Sequence, residues 1–239
     1  MNKYNTLLFD LDDTLIDNSI SMQYAFQTVL KVLNINYSDE LFHKWELFDI
    51  VYWDIWQVEK ENLSHIMKDD RNTFLRANRF ILFFKNLNIN YQQAKRLNEI
   101  YCKNLSVNIV EIENASNLIK ELKHSHKIVI ATNGPHQTAI EKVKKANLYK
   151  HVNYVISSDE AGFSKPMPEF FQYLDKKVNN YDKETTLIIG DNLSTDILGG
   201  TRHGIDTCWF NPKEKELSDT ITPTFTIKKL THLKKVIKK

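Results

Sequence analysis

Four short stretches hold the residue types that chemistry needs. Asp10 and Asp12 stand two apart at the end of an apolar run, in Asp10-Leu11-Asp12-Asp13-Thr14. Thr132-Asn133-Gly134 and Ser164-Lys165-Pro166 follow, and then Gly190-Asp191 with Asp196 five residues on. In an extended segment, residues two apart project to one side, roughly 6–7 Å from each other. Neighbouring carboxylates repel unless a cation or a proton intervenes. With Asp191 they make a hard oxygen site suited to Mg²⁺, which keeps room for waters and a phosphate oxygen. Such an ion lets an anionic phosphate approach an anionic nucleophile. Lys165 and the Thr132 hydroxyl can hold phosphoryl oxygens. Pro166 biases Lys165 towards extended backbone, and Gly134 allows backbone N–H groups close to an anion just before a helix. The inventory is that of a phosphate-and-magnesium site.

These side chains converge only if the elements before them bring their ends together. Residues 4–9 form a short apolar run that ends in acid, the pattern of a buried strand. Residues 127–131, 153–157, 186–190 and 207–210 are β-branched runs of the same kind, and helical segments at 115–124, 136–147, 168–178 and 195–203 alternate with them. Uncharged strands alternating with helices predict a parallel sheet covered on both faces. Ligands of such sheets bind beyond the carboxyl ends of the strands, where each motif stands. Between residues 18 and 105 the period is helical instead: Leu41, Trp45, Phe48, Tyr52 and Ile55 form one stripe, and Ser64 is placed to start a second helix. The pentapeptide Leu-Asn-Ile-Asn-Tyr occurs at 33–37 and 87–91, which predicts two helix ends with Asn34 and Asn88 left-handed. The expected fold is α/β, a Rossmann-like doubly wound parallel sheet with an inserted α-helical domain. Residues 1–16 and 107–239 form the core, and 17–106 the insertion.

In this order and at these strand ends, Asp10-x-Asp12-x-Thr14, Thr132, Lys165 and Gly190-Asp191…Asp196 resemble the four motifs of the haloacid dehalogenase-like hydrolases. The insertion stands where that superfamily carries its helical cap. The resemblance implies that Asp10 is the nucleophile, forming an aspartyl-phosphate, and that Asp12 is the acid/base. It implies a Mg²⁺ ion held by Asp10, the Asp12 backbone carbonyl and Asp191, with Asp196 ordering Lys165 or a metal-bound water. Thr132, Asn133, Gly134 and Lys165 match the phosphate-binding set. The second aspartate separates phosphatases from the dehalogenases of the superfamily, which lack it. Asp196-Ile197-Leu198-Gly199-Gly200, Thr207-Cys208-Trp209-Phe210-Asn211 and Arg79-Phe80 look like the pyrimidine 5′-nucleotidase branch. That implies a nucleoside monophosphate substrate, the alternatives being small sugar phosphates or phosphoglycolate, and before them a cap that closes over the substrate. Trp53, off the apolar stripe, and Arg79 are the candidate substrate contacts.

Bulk properties narrow the partners. Lys+Arg 32 against Asp+Glu 30 gives +2, too balanced for a general nucleic-acid binder. Two distant cysteines, Cys102 and Cys208, fit a reducing compartment. No run of 18 apolar residues occurs, and the opening residues turn acidic too soon for a signal peptide, so a cytoplasmic protein without a membrane partner is expected. A phospho-receiver domain would be about half this length, with its acceptor on a later strand. Ile227, Leu230, Leu233 and Ile237 recur at helical spacing among lysines, which predicts a final helix packed on the sheet.

Overall fold

The computed structural model describes residues 3–59, 71–217 and 220–238. They divide into two compact units, Met1–Ile20 with Ile109–Lys239, and Ser21–Asn108. Eight strands occur among the described residues: β1 (Thr6–Phe9), β2 (Ile16–Asp17), β3 (Val110–Glu111), β4 (Lys127–Thr132), β5 (Tyr154–Ser157), β6 (Thr186–Gly190), β7 (Asp206–Phe210) and β8 (Phe225–Ile227). Six form one parallel sheet in the order β5-β4-β1-β6-β7-β8. The chain therefore builds outward from β1 on one side through β4 and β5, then returns to build β6, β7 and β8 on the other. The order reverses at β1, which opens a crevice outside its carboxyl end. This is the α/β, Rossmann-like arrangement that the strand–helix alternation predicts. The small β2–β3 ribbon and the edge strand β8 are additions to it.

The alternation of side chains along each strand explains why the strands lack charge. Leu7, Phe9, Ile128, Ile130, Leu187 and Ile189 pack on one face against α5 (Ala115–Leu122), α6 (His136–Lys145) and α10 (Leu233–Ile237). Leu8, Val129, Ala131 and Ile188 pack on the other against Phe170, Phe171 and Leu174 of α8 (Pro168–Lys177). Buried Ile227, Leu230, Leu233 and Ile237 join the first face, with Lys228, Lys229, Lys235 and Lys238 exposed. The final helix spans only five residues, preceded by a 3₁₀ turn. Two short helices complete the unit, α7 (Ser158–Ala161) and α9 (Leu198–His203). A methyl group on Gly200 would stand 2.6 Å from Ile188 Cγ2, so α9 lies against the sheet without intervening side chains.

The second unit takes nearly all of α1 (Asn18–Val32), and α2 (Asp39–Glu59), α3 (Arg71–Phe83) and α4 (Tyr91–Asn104). Its core is aromatic. Trp45 stacks between Phe26 and Phe80, with ring centroids 5.1 and 5.2 Å away, and its indole N–H donates to Tyr101 Oη at 3.3 Å. Along the expected stripe Trp45 and Tyr52 are buried and Leu41 and Phe48 pack partly, but Ile55 is exposed: helical period persists beyond what the unit covers. Asn34 and Asn88 take φ of 55° and 50°, the left-handed conformation expected of them. The helix start expected at Ser64 lies outside the described residues. No described helix is long and apolar enough to cross a membrane. The boundary falls after Ile20 rather than after residue 16, because side chains of the first unit hold the start of α1, as described below.

Candidate active site

Lys165 organises the carboxyl edge of the sheet. It stands in the loop between α7 and α8, after which Pro168 opens α8 at its first position. The side chain is 1% exposed, and its ammonium donates to Asp10 Oδ1 at 2.7 Å, Asp196 Oδ1 at 2.6 Å and the Ala131 carbonyl at 2.5 Å. Burial opposes its charge, but the Asp10 and Asp196 carboxylates more than offset that and hold the ammonium above its ordinary pKa. The backbone of Lys165 is tied as well: the Asn133 amide donates to its carbonyl at 2.9 Å and accepts its N–H at 2.8 Å. Asn133, expected at the phosphate, thus has its side chain engaged in joining the second motif to the third. The Lys165–Pro166 peptide is cis.

Asp10 directly follows β1, and its N–H continues the ladder to the Ile189 carbonyl. Thr14 lies beneath it, donating to Asp10 Oδ2 at 3.5 Å and accepting the Asp191 N–H at 3.1 Å. The Trp209 indole N–H donates to the Asp191 carbonyl, holding the loop after β6. Asp196 lies in a π-turn, Leu193–Ile197, whose first N–H groups are capped by Asn192 Oδ1. One Asp196 oxygen accepts from Lys165 and the other from the Asn192 N–H at 3.2 Å. The contact with Lys165 matches one of the two expected uses of Asp196. Gly190 makes room for it, since a Cβ there would stand 2.2 Å from Asp196 Oδ2.

Carboxylate oxygens of Asp10, Asp191 and Asp196 lie within 4.8 Å of one another. Burial, then the charges of Asp10 and Asp196, push Asp191 well above the ordinary carboxylate range. Burial also carries Asp10 up to about 7, with Asp196 adding to the rise and Lys165 opposing it. Three clustered carboxylates and one ammonium, bonded to two of them, leave the site short of positive charge, and an all-oxygen donor set of this kind fits Mg²⁺. The raised values mean that the folded state holds protons more tightly than the unfolded chain. The metal-free protein is therefore expected to lose stability as pH rises from about 4 through about 7. A cation that binds the ionised carboxylates restores it. In thermal denaturation, Mg²⁺ should raise Tm more at about pH 8 than at about pH 5.5. Equal shifts at both pH values would separate the cation from these groups.

Asp12 has different partners from this cluster. Its Oδ1 accepts from Lys142 Nζ at 2.5 Å, and its Oδ2 lies beside Gly134, 3.6 Å from where a Cβ would stand. The Gly134 N–H turns inward to Thr132 Oγ1 at 3.0 Å, so what this glycine contributes is space rather than a free donor. Thr132 itself, the last residue of β4, is 1% exposed. Lys142 was not anticipated, because a lysine in the Lys-rich segment Lys142–Lys145 reads as solvated surface. Its signal was nevertheless present: Ala139, Lys142, Val143 and Ala146 recur at i, i+3, i+4 and i+7, so Lys142 falls on the buried stripe.

In the second unit, the two candidate substrate contacts meet each other. The Arg79 guanidinium lies 5.1 Å from the Trp53 ring centroid and 5.5 Å from that of Trp45. Arg79 is 5% exposed, pairs with Asp49 Oδ1 at 2.5 Å and donates from Nε to the Arg76 carbonyl at 3.2 Å. Trp53 is half-buried.

Comparison with known proteins agrees with this geometry. The profile of the haloacid dehalogenase-like hydrolases matches residues 4–204. The HAD-hydrolase YfnB of Bacillus subtilis is 31% identical over 98% of this chain and 95% of its own. Its crystal structure, described as bound to magnesium and revealing interdomain movement, superposes with a TM-score of 0.86 at 30% identity, over 98% of this chain and 99% of that one. The pyrimidine 5′-nucleotidase YjjG of Escherichia coli is 25% identical over 98% of both chains.

Proposed function

The chain belongs to the haloacid dehalogenase-like hydrolase family, and from that premise we propose that it is a Mg²⁺-dependent phosphomonoesterase acting on nucleoside monophosphates. The observation that carries the reading is the second carboxylate. Asp12 keeps one oxygen beside the Thr132–Gly134 turn, on the edge where Asp10 and Lys165 stand. Removing a halide needs no such acid, whereas expelling an alkoxide from a phosphate ester does.

In the proposed sequence, Asp10 attacks phosphorus as the ester P–O bond breaks, and Asp12 gives its proton to the departing oxygen. Asp12, now a carboxylate, takes a proton from the water that attacks the aspartyl-phosphate. The bond from phosphorus to Asp10 breaks, and inorganic phosphate leaves. Lys165 and the Thr132 hydroxyl hold the phosphoryl oxygens, with Asn133 fixing the lysine's backbone. Asp10, Asp191 and the Asp12 backbone carbonyl would hold the Mg²⁺, which supplies charge neutralisation between phosphate and nucleophile. Such a division of labour suits a reaction that is among the slowest known when uncatalysed.

The substrate class is supported by the name of the YjjG relative and by the segment Asp196–Gly200. Cys102 and Cys208 are both free thiols, which supports a cytoplasmic location. The test is phosphate release from a panel of 5′-nucleoside monophosphates, sugar phosphates and phosphoglycolate, with Mg²⁺ and with EDTA. Pyrimidine nucleoside monophosphates should lead in kcat/KM by at least about tenfold. A sugar phosphate in first place would overturn the substrate, and turnover that survives EDTA would overturn the metal.

A further inference from the structure

We propose that Lys142 is a positioning residue for Asp12, fixing which carboxylate oxygen is presented for proton transfer. The inference rests on Asp12 being the acid/base of the proposed reaction. Lys142 projects from the middle of α6 and is 1% exposed. A buried ammonium needs charged or strongly polar partners. Its partners here are Asp12 Oδ1 at 2.5 Å and Asn18 Oδ1 at 2.9 Å.

The contact is part of a clamp on the whole loop. Asn18, the first residue of α1, also donates its N–H to Asp13 Oδ1 at 3.0 Å, and Asp13 itself is left-handed with φ 60°. The loop from Asp12 to Asn18 is thus held at its start by Lys142, through the Asp12 side chain, and at its end by both Lys142 and Asp13. With Oδ1 held by a charge-assisted hydrogen bond, the Asp12 carboxylate cannot rotate freely about its last bond. Its Oδ2 is left on the side of Gly134, where a substituent on that glycine would come within 3.6 Å of it. Proton transfer depends steeply on such placement, because the acid must already stand within hydrogen-bond reach of the leaving oxygen. Lys142 needs no contact with substrate to do this.

The test compares leaving groups. An alkoxide needs a positioned acid and a nitrophenolate hardly does, and kcat/KM reports the step in which that group departs. The probes are p-nitrophenyl phosphate and an alkyl phosphate, uridine 5′-monophosphate or β-glycerophosphate, whichever turns over faster. Lys142→Met is expected to lower kcat/KM on the alkyl phosphate by about 100-fold and on p-nitrophenyl phosphate by less than about fivefold, with KM little changed. Added to Asp12→Asn, it should cost less than about threefold more, because the two residues act as one unit. Equal losses on both probes, or no loss, would overturn the inference. If Asp12→Asn shows the leaving-group dependence and Lys142→Met does not, the inference alone fails. If Asp12→Asn shows none, the role of Asp12 fails first. Should the methionine variant not fold, Lys142→Gln keeps a neutral donor but loses the charge-assisted bond. It is expected to show the same leaving-group dependence at a smaller loss, about tenfold on the alkyl phosphate and less than about twofold on p-nitrophenyl phosphate, and equal losses on both would overturn the inference.

Discussion

Asp10→Asn should abolish phosphate release from p-nitrophenyl phosphate, lowering turnover by at least about 10⁴-fold while leaving the fold intact. The substitution keeps the shape of the side chain and an oxygen for Lys165 to bond, so the sheet edge need not rearrange. What it removes is the anion that would act as the nucleophile. Stability should hold or rise, since burial and Asp196 already disfavour the ionised Asp10. Phosphate release and thermal denaturation on the same sample check both halves. Undiminished turnover would remove Asp10 as nucleophile, and a collapse of Tm would make the activity loss uninformative about chemistry.

Lys165→Met should act in the opposite sense on stability. The variant leaves Asp10 and Asp196 facing one another without the ammonium between them, and it strips the Ala131 carbonyl of its donor. Breaking a buried ion network by removing one partner costs about 3–5 kcal/mol, which is a fall in Tm of about 10 °C for a chain of this size. The loss should be largest at about pH 8 and shrink towards about pH 5.5. Without the ammonium, which opposes the rise, Asp10 holds its proton more tightly still in the folded state, so the penalty develops as pH rises and it ionises. Turnover should fall with it, because the group that would bind the phosphoryl oxygens is gone. A Tm unchanged at about pH 8 would show that Lys165 does not hold the carboxylates together.

The candidate site was legible in the sequence because its residues sit at the ends of strands whose apolar runs are unambiguous. The strands before Asp10, Thr132 and Asp191 are buried at nearly every position, so each is a continuous apolar word followed by a polar one. Shorter elements had no such signal. β8 is three residues behind Pro223, and β2 and β3 are two residues each, too brief for period-two alternation to register. Helix ends were legible where asparagine replaces glycine: Asn34 and Asn88 are left-handed as expected, and Asn114 before α5 is left-handed too. What composition hid was the use of polar groups on each other. Asn133 and Gly134 read as anion ligands, yet the Asn133 amide is bonded to the Lys165 backbone and the Gly134 N–H to Thr132. In composition Lys142 is one lysine among several, although its place on the apolar stripe of α6 marks it as buried.

The hydrogen at Gly190 has a consequence for how such a sequence can change over generations. The volume that any larger residue would fill at position 190 is already held by the carboxylate of residue 196, with Asp196 Oδ2 only 2.2 Å from where the first carbon would go. Positions 190 and 196 are therefore expected to change together, though six residues apart and on different elements. Alanine at 190 becomes acceptable only in a lineage that has already given up the acid at 196, and with it one of the three acceptors that anchor Lys165. A co-variation between these two columns would be the trace of a contact that exists because one of the partners has no side chain.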